Sequence, residues 1–198
     1  MTAAIKPLRQ ASRCLAKPCG IAYLRRMAIR PILIHPDLRL RRVAAPVAAV
    51  DAGVRALADD MLATMYDAPG IGLAATQIGV MRRVFVMDCA GKDEPPRPMA
   101  LVNPEILWAS PETATGEEGC LSIPDVYEDV TRPASVRLGW TDLEGARREA
   151  VFEGRAAICV QHEIDHLDGR LFIDYLGAVK RTMITARMKK LKREKARA

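Results

Sequence analysis

Aromatic residues make up only 5% of this 198-residue chain. That leaves no stacking platform for reading bases and argues against sequence-specific nucleic-acid binding. No apolar run approaches the ~18–20 residues of a membrane span, so a soluble protein without a membrane partner is expected. Acid is missing from residues 1–26, which carry six basic residues and no hydrophobic signal core. Such a composition fits a transit peptide or an over-extended start, and the stretch is set outside the fold. The five cysteines (14, 19, 89, 120 and 159) show no C-x-x-C pair and no regular framework. Free thiols in a reducing compartment are expected rather than disulfides.

Acid is also scarce at the other end. Residues 180–198 hold nine basic residues against Glu194 alone, and with +6 overall the body 27–179 carries −8. A basic tail on an acidic body favours docking to polyanions; a solvated helix end is the competing reading. The length suits one domain with a real core and is short for two. The expected organisation is therefore a basic extension (1–26), one catalytic domain (27–179) and a basic C-terminal helix or tail (180–198).

"DAGVRALADDMLATMYD" places Val54, Leu57, Met61, Leu62 and Met65 at helical spacing, with Asp51 as N-cap. "APGIGLAATQIGV" reads as a glycine- and alanine-rich loop. "RRVFVMDC", "MALVNPEILW", "SVRLGWTD" and "RREAVFEG" read as strands, the last two joined by a "DLEG" turn. "EGRAAICVQHEIDHL" reads as a second helix stopped by Gly169, and a basic, polar helix follows from about Ala178. Strands in the middle with helices at either end indicate the α+β class.

Histidine occurs three times, and two of the three fall in His162-Glu163-x-x-His166. One helical turn apart, both imidazoles reach one cation, while Glu163 can address water on that cation without ligating it. A catalytic site of this kind needs a third ligand and an open position. One metalloprotease class would place a histidine at 172, but this chain has Phe172. From Leu167 to Arg193 there is neither glutamate nor histidine; Asp168 and Asp174 fit cap and loop positions equally well. Cys159 lies seven residues from His166, about 10 Å along a helix, too far to share the ion easily. Cys120, in "EGCLSIP" where glycine and proline break regular structure, would complete a Cys-His-His set, although free cysteines are usually small buried hydrophobes. His35, far from these segments, is read as structural.

"GIGLAATQ" (70–77), "EGCLS" (118–122) and "QHEIDHLDG" (161–169) together resemble the three signature motifs of the peptide deformylases, in the same order and over roughly residues 27–180. The resemblance implies antiparallel or mixed sheets packed around a central metal-binding helix, with a further helix at the C-terminus. It implies Cys120, His162 and His166 as metal ligands and Glu163 as catalytic acid/base. Gln77 and the Leu121 N–H become donors to the reacting carbonyl oxygen. Ile71 becomes the edge of the pocket for the methionine side chain, Ile158, Cys159 and His162 become another of its walls, and Gly72 belongs to the loop that meets the substrate backbone. The implied reaction is metal-dependent hydrolysis of the formyl group from N-formylmethionine on new peptides, releasing formate.

The implied cofactor is one divalent ion per chain, Fe2+ first, with Ni2+, Co2+ or Zn2+ as replacements; ligand type alone would have favoured zinc. Implied partners are formylmethionyl nascent peptides and, through the basic tail, the ribosome. The protein is expected to be a cytoplasmic monomer, with organellar import left open by the basic extension. Tyr127 and Arg155, near the motifs, either adjust affinity for residues after methionine or are rim surface. Two rivals stand beside this reading: a metallopeptidase, which lacks its downstream ligand, and a structural metal site in a ribosome-binding module, which leaves Glu163 and Gln77 without a task.

Overall fold

A computed structural model describes residues 27–195. The basic extension 1–26 lies outside the described residues. Helix α1 (Ala52–Asp67) begins where Asp51 accepts from the Val54 N–H at 2.8 Å. Its apolar residues at i, i+3, i+4 and i+7 face inward, so Val54, Leu57, Ala58, Met61 and Met65 are all buried. On the same helix Asp60 ties down the start of the described chain: its carboxylate accepts from the Ala28 N–H at 2.9 Å and from Arg30 Nη2 at 2.6 Å.

The strands among the described residues are β1 (Gly72–Ala74), β2 (Val84–Met87), β3 (Met99–Ala109), β4 (Thr113–Cys120), β5 (Ile123–Pro133), β6 (Ser135–Thr141) and β7 (Arg147–Glu153). They form a five-stranded sheet in the order β1-β2-β3-β6-β7 and a separate β4-β5 hairpin, with every pairing antiparallel. Helices α2 (Gly154–Leu167) and α3 (Ala178–Lys195) complete the α+β architecture.

Strand β2 is buried on both faces, and its alternation divides the core. Val84 and Val86 pack with the α1 residues; Phe85 and Met87 pack with Ala157, Val160 and Ile164 of α2. The sheet therefore lies between α1 and α2, and α2 runs through the centre of the molecule. The "DLEG" hairpin is observed: Asp142 N–H bonds Ala146 O and Gly145 N–H bonds Asp142 O.

Two segments differ from their sequence reading. The glycine- and alanine-rich stretch is ordered as β1 followed by a 3-10 turn at Ala75–Ile78. With Leu73 as the only large side chain of β1 and all three residues buried, no polar–apolar alternation exists to reveal it. The region around Cys120 is the tip of a long hairpin, in which Cys120 pairs with Ile123 and only Leu121 and Ser122 form the link. Its glycines and Pro124 lie within the two strands, and the pairing register shifts between Gly119 and Cys120, so regular structure is interrupted only locally beside the cysteine.

Helix α3 is polar on most sides, yet Ile184, Met188 and Leu191 seat it on Leu40, Ile123 and Phe172. His35 Nε2 adds a contact to Thr185 Oγ1 at 3.0 Å, the structural role expected of it.

Gly169 follows the end of α2 with φ +74°, and a Cβ there would lie 2.6 Å from the Arg41 carbonyl oxygen. Both the left-handed backbone and the clash penalise a side chain. Gly169→Ala is expected to cost about 1–3 kcal/mol, lowering Tm by roughly 2–4 °C per kcal/mol in a chain of this size. An unchanged melting curve would show that the turn refolds around alanine.

Candidate metal centre

One stripe of α2, Ala157, Val160, Ile164 and Leu167, buries against the sheet. The same register places His162, Glu163 and His166 toward the β4-β5 hairpin, where they too are buried. Cys120, the last residue of β4, meets them: its Sγ lies 3.1 Å from His166 Nε2. The Cys120, His162 and His166 donor atoms all fall within 4.8 Å of one another. Phe172, at the position where a third histidine was sought, stacks on the His162 ring instead, with centroids 6.0 Å apart. Asp168 is held by Arg83 at 2.6 Å and Asp174 by Arg41, so neither joins the cluster.

Sequence reasoning assigned no role to the residues behind the histidines. His162 Nδ1 lies 2.8 Å from Glu118 Oε2, an arrangement that orients the ring and leaves Nε2 as the nitrogen available to a cation. Glu118 is gripped by Arg132 through Nε at 2.5 Å and Nη2 at 3.0 Å, and Arg132 Nη1 reaches Asp165 Oδ2 at 2.8 Å. Tyr175 donates to Asp165 Oδ2 at 2.9 Å. A partial signal was present. Glu118 and Cys120 are two apart on one strand and share a face, so a strand reading of "EEGC" would have pointed Glu118 toward the ligands. Nothing local marks Arg132.

Electrostatics follow from burial. Desolvation raises the Glu163 carboxyl to about 7, against the pull of His162. Burial, then the neighbouring His162 and Arg132, push His166 well down and keep it neutral, a form able to donate its lone pair. For Glu118 burial acts upward, but the hydrogen bonds of His162 and Arg132 outweigh it and hold the group ionised.

Cys120, His162 and Glu163 border a cavity of about 1120 Å³. Ile71, Gly72, Gln77, Leu121, Ile158 and Cys159 line it as well, as do Tyr127 and Arg155, while His166 does not line it but joins the donor group of Cys120 and His162. Gln77 is oriented by its own turn. Its Oε1 accepts from the Ala74 N–H at 2.7 Å, leaving Nε2 to point at Ser122 Oγ (3.2 Å) and Cys120 Sγ (3.6 Å). At Gly72 any Cβ would run into Glu163 Oε1 and lie 2.9 Å from Cys159 Sγ, so the glycine marks a close approach of β1 to α2. Cys159 Sγ contacts the Ile71 carbonyl at 3.6 Å and stays outside the ligand group.

A thiolate and two imidazoles from two separate elements, with one side facing a cavity, suit a divalent transition metal with one position left for chemistry. Glu163 Oε2 is buried without a hydrogen-bond partner among the described residues, which fits a group that meets water or substrate. The residues present therefore fit a catalytic metal.

Comparison with known proteins agrees. The family model described as polypeptide deformylase matches residues 29–182. A peptide deformylase of Methylocella silvestris is 59% identical over 167 residues, spanning 83% of this chain and 85% of that protein. One from Alkalilimnicola ehrlichii is 58% identical over 168 residues, 85% of this chain and 93% of its own length. The crystal structure of a peptide deformylase from Ehrlichia chaffeensis superposes with TM-score 0.82 at 35% identity, covering 85% of this chain and 99% of that one. With a thiolate-imidazole cluster at the cavity, the three motifs around it and this likeness over most of the chain, the protein belongs to the polypeptide deformylase family.

Proposed function

We propose that this deformylase hydrolyses the formyl group of N-formylmethionine at peptide N-termini, with Glu163 moving the proton and Cys120, His162 and His166 holding the metal. The observation that carries these roles is the buried Glu163 oxygen, unpartnered among the described residues, beside the three converging donors at the wall of the cavity. When bound, the divalent ion supplies Lewis acidity toward the formyl group and toward water. Glu163 Oε2 accepts the proton that water gives up on attacking the formyl carbon, then returns it to the departing amine. Gln77 Nε2–H and the Leu121 N–H face the carbonyl oxygen as it becomes an oxyanion; donors of this type are worth ~3–4 kcal/mol each. Gln77 is ready for this because the Ala74 N–H fixes its amide.

Ile71, Ile158, Cys159 and the His162 edge receive the methionine side chain, and Gly72 meets the substrate backbone. An added methylene alters apolar binding by only ~1–3 kcal/mol, so rejection of larger acyl groups rests on steric exclusion beside Gly72, where the strand lies against Glu163. The test is formate release from a short formyl-Met peptide by the metal-loaded protein. Metal retained with no release would overturn the reading, and cleavage of an unformylated peptide would favour the metallopeptidase.

Fe2+ is the proposed working ion. A thiolate beside ferrous iron is prone to oxidation, so the iron form should lose activity in air while the nickel form holds it. Equal lifetimes in air and under anaerobiosis would count against iron.

Ribosome docking through α3 completes the proposal, for a cytoplasmic monomer acting on nascent chains. No helix among the described residues is long and apolar enough to cross a membrane. Deleting 180–198 would strip Ile184 and Met188 from the core, so the cleaner variant replaces the exposed Lys189, Lys190 and Arg193 by glutamine. Because phosphate contacts dominate such binding, co-sedimentation with ribosomes at low salt should fall sharply. If it is unchanged, α3 is not the docking element.

A further inference from the structure

Cys89 follows directly on the inward-facing side chains of β2. Alternation along the strand puts Phe85, Met87 and then Cys89 on the α2 side, in the cluster that contains Ala157, Cys159 and Val160. The backbone there is anchored: Asp88 N–H donates to the Ile71 carbonyl at 2.9 Å. Cys159 Sγ contacts that same carbonyl at 3.6 Å. One oxygen thus gathers the end of β2 and the first turns of α2, and Cys89 packs against the cluster in which Cys159 is buried, near enough for each thiol to act on the other's ionisation.

Neither thiol belongs to the metal-ligand group, and the proposed reaction uses neither as a nucleophile. Their environments differ. Cys159 is buried, while Cys89 is only partly so. The Cys159 thiol and, further down, the Arg155 charge hold the Cys89 thiol below its ordinary range, against burial and Asp88. Cys159 is pushed well up by Cys89 and by burial. One partner is therefore reachable and the readier nucleophile, with a protonated thiol beside it.

We propose that Cys89 and Cys159 form an oxidation-sensitive thiol pair that closes to a disulfide with a peroxide, pinning the cavity wall of α2 to the end of β2. The Cys89 thiolate attacks one peroxide oxygen and the O–O bond breaks. Cys89 becomes a sulfenic acid, and the second oxygen leaves as hydroxide and is protonated to water. Cys159 sulfur then attacks the Cys89 sulfur; the S–O bond breaks, the S–S bond forms, and the oxygen leaves as water with the Cys159 proton. Two thiols and one peroxide thus yield one disulfide and two waters, and a dithiol reverses it. Bonding to Cys89 draws the Cys159 sulfur from the Ile71 carbonyl, beside Gly72 and Glu163, so the oxidised wall binds the methionine side chain poorly.

The experiment treats the full-length, nickel-loaded protein with equimolar hydrogen peroxide, blocks free thiols, and maps the digested peptides by mass without reduction. The expected result is a joined peptide pair containing Cys89 and Cys159, lighter by two hydrogens than the separate peptides. It should separate on dithiothreitol, alongside recovery of deformylase turnover. Cys89→Ser should abolish the joined pair and the dithiothreitol-recoverable loss. Recovery of Cys89 and Cys159 unlinked, as thiols or as sulfinic acids, overturns the proposal, as does a bond from either to Cys120. The linked peptide is read without assaying formate, so its absence is separable from any failure of the deformylase assay.

Discussion

Replacing Glu163 by glutamine is expected to lower formate release by roughly 10²–10⁴-fold, the range a positioned proton-transfer group supplies, while leaving metal content unchanged. The substitution keeps the shape of a side chain that is 4% exposed and pressed against Gly72. It removes only the ability to take and return a proton. The amide also leaves the ligand set intact, because Glu163 is outside the Cys120, His162 and His166 group. Activity and metal content, measured on one preparation, separate the outcomes. Full activity would remove Glu163 from the proposed mechanism. Joint loss of activity and metal would make it a ligand or a scaffold.

The sequence made some of this arrangement legible for definite physical reasons. α1 and α2 declare themselves because a helix with one buried face must repeat its apolar residues at helical spacing, and both do. The two histidines and Glu163 were readable because a single helical turn brings them together, with no knowledge of the rest of the fold. Cys120 was different. His162 lies forty-two residues further along the chain, and only the resemblance of three separated motifs chose Cys120 over Asp168, Asp174 and Cys159. β1 was invisible because strands buried on both faces and built from glycine and alanine have no alternation. The β4-β5 hairpin was obscured by exposed residues such as Glu117 and Asp129, which look like loop polarity when the strand bearing them faces solvent. Helix α3 looked polar throughout because three apolar side chains suffice to dock it.

The Glu118-Arg132-Asp165 network is the largest element that sequence could not show. A charged residue in a list is presumed solvated, and only the fold reveals that these three are 4%, 3% and 8% exposed. Exchanging Arg132 for methionine is expected to cost about 3–5 kcal/mol, the usual penalty for removing one partner from a buried ion pair. The cost comes less from lost attraction than from what remains: two buried carboxylates, Glu118 and Asp165, with no cation between them. Glu118 has His162 to lean on and Asp165 has Tyr175, so the network is weakened rather than emptied. For a chain of this size the loss corresponds to a fall in Tm of roughly 2–4 °C per kcal/mol. A second effect separates this from ordinary destabilisation. Glu118 orients the His162 ring through Nδ1, and Arg132 orients Glu118, so metal affinity should fall about 10–100-fold, as when a supporting partner of a metal ligand is removed. Competition against a chelator, below the melting transition of the variant, measures that affinity directly. A lower Tm with unchanged affinity would confine Arg132 to the core. Glu118→Gln should show the converse balance, because the amide can still accept from His162 while the charge it lacks no longer needs Arg132 in the same way. Its metal affinity should fall less than its stability, since orientation of the ring survives and the ion pair does not.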